Sequence, residues 1–428
     1  MVKNKKENGI QAVRKLIPWL LAIGMAGIIA IGVGGCGGSK NAGKGNLKIV
    51  MLAPLTGPSA TWGKRSSDGF KLAAEIYNAA GGVKPMSGRK IEAVVVDTET
   101  KPEVASSQAE KLVQDKDVLV LSGCNQSAST LVATQVCERT KVPFVSHSDT
   151  DPTITSRNFK YTFRLATLMP NLVGSLIECI KDYAEKTGVK PKRFAALSVN
   201  SMHAKVANEA AVKYAKELGW EIVDNSLYDP ATTKDFSGYI SRYKNAKVDI
   251  LLSDAGTEDA ILITRTMKEL DFNPMCLGGM YGAMPTSDYW NPLGKDANYV
   301  IAVAPFSLSI KAPGLQEVMK KYEEKYNEKC DDVSLLGFNA FAVISRAIEK
   351  AGAADREKVR EALTKIDMKM GDNNLFQFDG VKFAPNGDNI YAKGVVISIK
   401  DGNGDVIYPK EYMQAEAKWP RPKWRDIK

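Results

Sequence analysis

From Leu47 onward, short apolar strands alternate with amphipathic helices, and this alternation constrains the fold more than any other feature of the chain. The first strand begins at Leu47 and ends in a turn rich in proline and glycine, and a helix runs from Asp68 to the Gly81–Gly82 stop. In open α/β sheets the carboxyl ends of the strands line the ligand crevice. We therefore expect Pro54 to Lys64 to form a loop that lines a site, with Trp62 as its most conspicuous side chain.

The same alternation begins a second time at Arg193. Before that residue, predicted strands end at Asp97, Ser122 and Ser146, and helical segments separate them. Strands and helices at this spacing indicate an α/β fold with a parallel sheet and helices on both faces. Since 428 residues accommodate two domains, the sequence predicts two α/β lobes of similar design.

Residues 1–35 are expected to be a signal peptide rather than part of the fold. A basic stretch that ends at Lys15 precedes an uncharged apolar segment, and small residues stand directly before Cys36. The tetrapeptide Val33 to Cys36 resembles a bacterial lipobox, in which the cysteine thiol is acylated and becomes the new first residue. A single transmembrane anchor is the alternative, because a segment of this length nearly spans a bilayer. In either case we expect the folded part outside the cytoplasmic membrane, after a flexible tether at residues 36–46.

Composition argues against several classes of function. The formal net charge of +9 is modest for a chain of this length, which argues against a nucleic-acid partner. His147 and His203 are the two histidines, and neither has the sequence neighbours of a metal ligand, so no metal is expected. The chain also lacks the G-x-S-x-G elbow of a serine hydrolase, and we expect neither an enzyme nor a cofactor. Apart from Cys36, five cysteines remain, and buried thiols with at most one or two disulfides are expected.

Hydroxyl side chains at residues 127–130 stand between a predicted strand and a predicted helix. Such hydroxyls can cap the helix, while its free amides and the positive end of its dipole can hold an anion such as a carboxylate. The residues alone leave both interpretations open. Residues 146–150 follow the next strand and are expected at the same edge of the sheet. Asp149 would there receive a ligand ammonium, or be a solvated or helix-capping carboxylate.

Several stretches resemble the branched-chain amino acid binding proteins of ABC importers, which are type I periplasmic binding proteins. They are APLTGPSATWGKRSSDGFKLAAEIYNAAGG, LSGCNQSAST, VPFVSHSDTDPTIT with YTFRLATLMPN, and DFSGYISRYKNAKVDILL. The resemblance covers nearly everything from Leu47 to the carboxyl end. It implies two lobes joined by a three-strand hinge, with residues 47–166 and 302–372 in lobe 1 and residues 167–301 and 373–428 in lobe 2.

The resemblance also implies roles for residues of lobe 1. Ser127 aligns with the residue that holds the ligand carboxylate in that family. With Ser129 and Thr150 it is expected to clamp this group, and Trp62 is expected to cover it. Asp149 and Thr150 occupy positions that contact the ligand head group, although Asp149 departs from the small residue that is usual there.

Lobe 2 departs further from the family pattern. His203 aligns where an aromatic residue commonly stacks over the ligand, and Met280 aligns where a glutamate usually binds the α-ammonium. The loss of that glutamate removes a charge-assisted hydrogen bond worth roughly 1.5 to 3 kcal/mol. Either a carboxylate such as Asp254 or Asp149 substitutes for it, or the ligand lacks an amine. Met280 and Tyr281 would then form an apolar wall of the site, with core packing as the alternative for the methionine.

These expectations combine into one function. The chain is predicted to be a lipid-anchored, extracytoplasmic substrate-binding protein that captures a branched-chain amino acid or a related small carboxylate in the cleft between its lobes. It would then deliver this ligand to the permease of an ABC importer. The alternative is a ligand-sensing receptor domain that serves a signalling partner.

Overall fold

The computed structural model describes residues 46–371 and 380–427, which divide into two compact units. Among the described residues, unit 1 consists of residues 46–149, Thr153–Leu165 and the described part of Ala312–Tyr391. Unit 2 consists of Thr150–Pro152, Ala166–Lys311 and Ala392–Lys428. The predicted signal peptide, Cys36 and all but the last residue of the predicted tether lie outside the described residues.

Strands and helices alternate through the first part of unit 1, as the sequence pattern predicts. The elements are β1 (Leu47–Ala53), α1 (Ala60–Ala79), β2 (Ile91–Asp97), α2 (Pro102–Leu112), β3 (Val118–Gly123), α3 (Ser127–Thr140), β4 (Phe144–Ser146), α4 (Thr153–Ser156) and β5 (Thr162–Arg164). Among the described residues these strands form a five-stranded sheet in the order β2-β1-β3-β4-β5. Every pairing in it is parallel, so the carboxyl ends of all its strands lie at one edge.

Unit 2 repeats the alternation. Its elements up to residue 311 are α5 (Met169–Thr187), β6 (Arg193–Val199), α6 (Met202–Glu217), β7 (Glu221–Tyr228), α7 (Ser237–Asn245), β8 (Ile250–Ser253), α8 (Thr257–Glu269), β9 (Cys276–Gly279), α9 (Ser287–Leu293) and β10 (Ile301–Ala304). In the sheet of unit 2 five strands lie side by side in the order β7-β6-β8-β9-β10. Each neighbouring pair of these strands is parallel.

The remainder of the chain returns to unit 1 and then completes unit 2. It contributes α10 (Leu315–Tyr326), α11 (Asp332–Ala351), α12 (Arg356–Thr364), β11 (Asp367–Met368), β12 (Val381–Lys382), β13 (Val395–Lys400) and β14 (Asn403–Tyr408). The hairpin of β13 and β14 joins β10 in antiparallel fashion, so the sheet of unit 2 has seven strands among the described residues and is mixed at one edge. Asp401 and Gly402 have φ of 50° and 77°, which matches the tight hairpin turn expected there.

One sequence-based expectation is wrong in its detail. The stretch from Ala60 to Lys64 is not a loop, because α1 begins at Ala60 and places Trp62 in its first turn. The small residues of this stretch are typical of a loop, but here they allow the backbone of α1 to pack closely against the preceding turn. A Cβ on Gly63 would lie 2.0 Å from the carbonyl oxygen of Pro54. The hydroxyl of Ser67 donates to the Gly63 carbonyl at 2.6 Å, so it is satisfied inside the helix.

Helices α1 and α11 approach each other backbone to backbone. A Cβ on Gly69 would lie 1.7 Å from the Ser334 carbonyl oxygen, and one on Gly337 would lie 1.8 Å from the Ser66 carbonyl oxygen. Glycine is therefore required on both helices. We expect Gly337→Ala to lower the free energy of unfolding by about 1–3 kcal/mol, because the added methyl forces the two helices apart. Chemical denaturation followed by circular dichroism measures this change.

A glycine in another helix provides the matched control. Gly238 in α7 has open space where a Cβ would be placed, so Gly238→Ala is expected to leave stability unchanged or raise it by up to about 1 kcal/mol. Equal effects of the two substitutions would show that the close approach of α1 and α11 does not limit stability.

The segment after residue 380 is tied to the edge strand β5. The Arg164 amide donates to the Gly387 carbonyl at 2.8 Å, and the Asn389 amide donates to the Arg164 carbonyl at 3.1 Å. The Arg164 side chain is fully buried, and its Nη2 lies 2.5 Å from Oδ1 of Asp388. This pairing keeps residues 380–391 with unit 1, whereas the resemblance to the family implies that residues 373–428 belong to lobe 2. The predicted boundary between residues 372 and 373 itself lies outside the described residues.

The five cysteines after Cys36 lie within the described residues, whereas the predicted signal peptide does not. Within residues 46–371 and 380–427 the cysteines are all free and buried, in agreement with the expectation of buried thiols. No helix in this part of the chain is long and apolar enough to cross a bilayer.

Candidate functional site

In unit 1, the first turn of α3 follows directly from the end of β3. The N-cap residue is Gln126, and its side chain makes no capping hydrogen bond. The first helical residue is Ser127, whose side chain is nearly buried at 7% exposure. The hydroxyl of Ser129 is fully buried and has no hydrogen-bond partner among the described residues. This helix start therefore presents uncapped amides and an unsatisfied hydroxyl, which is the arrangement that binds an anion.

Thr130 joins this helix start to the residues after β4. Its Oγ1 accepts from the Cys124 amide at 2.8 Å and donates to Oδ2 of Asp149 at 2.7 Å. The hydroxyl of Ser146 donates to the same carboxylate oxygen at 2.8 Å. Asp149 is 3% exposed, which excludes the solvated interpretation of this residue. Burial raises the pKa of Asp149 to about 6, against the opposing effect of the Thr130 and Ser146 hydroxyls.

The start of α1 lies beside the start of α3. Nε2 of Gln126 donates to Oγ of Ser59, the N-cap residue of α1, at 3.1 Å. The structure thus brings the turn that carries Trp62, which is half-buried, to the same end of unit 1 as Ser127.

Asn125 is a polar residue of this region that sequence reasoning missed. Its Oδ1 accepts from the Ser66 hydroxyl at 3.0 Å, and its Nδ2 donates to the Ser148 hydroxyl at 3.4 Å. Asn125 also has a φ of 66°, the left-handed conformation that asparagine tolerates better than most residues. An asparagine directly after a predicted strand was the available signal, since this residue type favours such turns.

Thr150 falls in unit 2 rather than with Ser127 and Ser129 in unit 1. It is buried at 3% exposure, and its carbonyl accepts from the Met169 amide at the start of α5 at 2.9 Å.

His147 is fully buried after β4, and neither ring nitrogen has a hydrogen-bond partner among the described residues. Burial lowers the pKa of His147 to about 3. The unfolded chain binds a proton at this residue near pH 6.5, whereas the folded chain does not. The contribution of His147 to stability is therefore complete above pH 6.5 and is lost as the pH falls towards 3.

We expect the free energy of unfolding of the wild type to fall below pH 6.5 by up to about 1.4 kcal/mol per pH unit through this residue. His147→Leu removes the titrating ring and should flatten the profile between pH 6.5 and 4.5. Denaturant unfolding of both proteins at each pH measures the difference between their free energies of unfolding. The contributions of the other titrating groups are the same in both proteins and cancel in this difference. Parallel profiles would contradict this assignment.

In unit 2, two predicted site residues meet at the carboxyl edge of the sheet. Asp254 directly follows β8 and is 1% exposed, and its Oδ2 lies 3.4 Å from Nε2 of His203 in the first turn of α6. The His203 side chain is 35% exposed. Its Nδ1 lies 3.1 Å from the hydroxyl of Ser201, the N-cap of α6.

The turn after β9 brings Tyr281 to the same place. Tyr281 has a φ of 105°, an unusual conformation for a residue with a side chain, and Gly282 follows at 62°. A Cβ on Gly282 would lie 2.6 Å from Oδ1 of Asp254, so only glycine allows the backbone to pass this close to the carboxylate. Strained backbone of this kind concentrates at functional sites.

Met280 is fully buried, and its amide donates to the carbonyl of Ser253 at 2.8 Å. Its side chain therefore has the burial expected of the core, which was the alternative interpretation for the methionines. Within the described residues, no group of three or more histidine, cysteine or acidic side chains could hold a metal ion.

Each of the two α/β units has polar groups at the carboxyl edge of its sheet, which is where open α/β sheets bind ligands. The chain belongs to the periplasmic binding protein family, whose model matches residues 46–395. This confirms the resemblance seen in the sequence and the α/β fold class that it implies. Proteins of this family bind substrates outside the cytoplasm and are not enzymes.

Curated relatives and solved structures agree with this family. The chain is 26% identical over 402 residues to Leu/Ile/Val-binding protein homolog 7 of Brucella abortus, covering 92% of this chain and 99% of the relative. A branched-chain amino acid transporter substrate-binding protein from Streptococcus pneumoniae, solved with isoleucine, is 19% identical with a TM-score of 0.71, covering 85% of this chain and 100% of that one. A solute-binding protein of an ABC transporter from R. palustris, solved with benzoate, is 16% identical with a TM-score of 0.71, covering 88% and 98%.

Proposed function

We propose that this chain is the substrate-binding subunit of an ABC importer and that its ligand is a small molecule with a carboxylate. The observation that carries the proposal is the start of α3, where uncapped amides and the buried hydroxyl of Ser129 adjoin Ser127. A ligand carboxylate would accept hydrogen bonds from these groups and be stabilised by the positive end of the helix dipole.

The ligands of two similar structures support the choice of a carboxylate. One of these proteins was solved with isoleucine and the other with benzoate. Isoleucine and benzoate differ in size, in aromatic character and in the presence of an amine, but each has one carboxylate. A site that recognises this shared group is consistent with both relatives.

The proposed contacts are given for each unit by itself. In unit 1, Ser127 and Ser129 would hold the carboxylate, Trp62 would cover it, and Asp149 would support the helix start through Thr130. In unit 2, the proposed contacts are Thr150, His203, Asp254, Met280 and Tyr281.

We also propose that the mature protein is anchored by lipid on Cys36, which lies outside the described residues. The lipobox-like tetrapeptide before this residue supports the proposal. Mass spectrometry of the mature amino terminus tests it, and Cys36→Ala should move the protein from the membrane fraction to the soluble fraction. An unmodified Cys36 in the mature protein would contradict the anchor.

A thermal-shift screen tests the proposed function. The panel contains amino acids, aromatic acids and short-chain aliphatic acids, and a ligand at 100 times its dissociation constant adds about 2.7 kcal/mol to the free energy of unfolding. We expect at least one carboxylate to raise the melting temperature of the wild type, and Ser127→Ala to reduce that shift. A panel in which no carboxylate stabilises the wild type would contradict the proposal.

A further inference from the structure

The guanidinium of Arg421 is buried in unit 2, where residues 418–427 form a carboxyl-terminal tail. The Arg421 amide donates to the Met275 carbonyl at 2.8 Å, directly before β9 begins at Cys276. Arg421 therefore lies at the amino edge of the sheet of unit 2. Asp254 and Tyr281 follow the opposite, carboxyl ends of β8 and β9, so this guanidinium is separate from the candidate solute site of the unit.

Among the described residues, a single nitrogen of this guanidinium has a hydrogen-bond acceptor. Nη2 donates to the backbone carbonyl of Asp296 at 3.4 Å, which is longer than the usual range. Nε and Nη1 are buried and have no partner in the same part of the chain, although Arg421 as a whole is only 5% exposed. Cζ lies 4.0 Å from the centroid of the Trp424 ring, and a ring face does not accept the in-plane N–H groups.

The titratable groups around Arg421 do not neutralise its charge. Asp296 attracts the guanidinium, but both of its carboxylate oxygens accept from Nζ of Lys268, at 2.8 and 2.9 Å. Burial raises the pKa of Tyr289 and of Cys276 to about 12, so both side chains are neutral at pH 7. Burial lowers the pKa of Arg421 only to about 10, so the guanidinium remains a cation. Its surroundings thus leave it without a counter-ion of its own.

A buried cation of this kind requires an acceptor that also carries negative charge. Burying an ion is costly unless the ion is paired and hydrogen-bonded. A water molecule would accept from the N–H groups but would not offset the charge. A halide ion does both, and because it is a single atom it needs less room than an oxyanion. Trp424 covers a face of the guanidinium and leaves its edge, where the N–H groups point, for such an ion.

We propose that Arg421 holds a chloride ion inside unit 2, at an anion site distinct from the solute site. The ion accepts from guanidinium N–H groups and supplies the missing negative charge. Trp424 fixes the tail beside it, since its amide donates to Oδ1 of Asn273 at 2.8 Å and its Nε1 donates to the Phe272 carbonyl at 2.7 Å. Bound chloride therefore stabilises the packing of the tail on unit 2, whichever solute the protein carries.

Thermal unfolding of the purified protein without added solute tests this site. Mixtures of sodium chloride and sodium gluconate at constant ionic strength vary chloride alone. We expect the melting temperature of the wild type to rise with chloride and then level off, by about 5 °C at 100 times the dissociation constant. Arg421→Met should abolish this dependence. In gluconate its melting temperature should equal or exceed that of the wild type, because an uncompensated buried charge is removed.

Arg425 provides the matched control in the same tail. Its side chain is 79% exposed, so Arg425→Met should retain the chloride dependence of the wild type. A dependence that persists in Arg421→Met, or a wild type that does not respond to chloride, would overturn the proposal.

Bromide locates the ion without any substitution. Crystals of the wild type grown in sodium bromide should give an anomalous peak at hydrogen-bond distance from the Arg421 guanidinium. Adventitious bromide only, on the surface and not beside Arg421, would overturn the proposal, as would a water molecule at that place. Neither result would affect the proposed function, which the carboxylate screen tests separately.

Discussion

Asp388→Ala should lower the free energy of unfolding of unit 1 by about 3–5 kcal/mol, the cost of breaking a buried ion pair by removing one of its members. Arg164 is fully buried, and Asp388 is its paired carboxylate, with Nη2 to Oδ1 at 2.5 Å and Nε to the same oxygen at 3.1 Å. After the substitution the guanidinium keeps its hydrogen bond to the hydroxyl of Thr155 at 2.8 Å and its longer-range attraction to the carboxylate of Asp149, neither of which replaces the direct ion pair with Asp388. Denaturant unfolding of the wild type and the variant measures the loss.

An exposed ion pair of the same unit provides the control. Glu110 in α2 pairs with Arg139 in α3, and their side chains are 44% and 63% exposed. Glu110→Ala is expected to change stability by less than about 1 kcal/mol. A double substitution, Arg164→Met with Asp388→Ala, should lose less than Asp388→Ala alone, because no charge is then left buried. If the double variant is the less stable of the two, the account of this pair is wrong.

The largest expected effect on binding is that of Ser127→Asp. The substitution places a negative charge at the helix start where the ligand carboxylate is proposed to bind. Two like charges about 4 Å apart repel each other by about 4 kcal/mol at an effective dielectric constant of 20, so affinity for every carboxylate should fall by at least about a hundredfold. Titration with the ligands found by thermal shift measures this loss.

The fold should tolerate this substitution, because an acidic residue in the first turn of α3 interacts favourably with the helix dipole. The isosteric control Ser127→Asn has the same size without the charge and should retain more affinity than Ser127→Asp. Equal affinities of the two variants would show that charge repulsion at position 127 does not control binding. Affinities equal to that of the wild type in both variants would show that Ser127 does not contact the ligand.

The sequence predicts the α/β fold because its information is local. Alternating apolar residues define a strand such as Leu47–Ala53, and one apolar face defines a helix such as Ser127–Thr140. The start of α1 at Ala60 was missed for a non-local reason. Gly63 and Ser66 resemble loop residues in sequence, and only the carbonyl of Pro54 and the backbone of α11 at Gly337 show why small residues are needed there.

The candidate site was predictable to a similar extent. The positions of Ser127 and Asp254 after their strands follow from the alternation of elements and from the resemblance to a known family. The burial and the hydrogen bonding of these two side chains do not follow from the sequence, because they depend on partners that are distant in the chain. Thr130 bonded to Asp149, and Gly282 placed against Asp254, are contacts that no spacing rule predicts.

The central claim is that the chain recognises a carboxylate at the start of α3. Its most direct test is a titration of the wild-type protein with acids and their amides, such as L-leucine with L-leucinamide and benzoate with benzamide. Each pair has the same shape and differs in the charge of the group that would contact Ser127. The account predicts that the acid of at least one pair binds and that its amide binds at least about a hundredfold more weakly. An amide that binds as tightly as its acid would contradict the account.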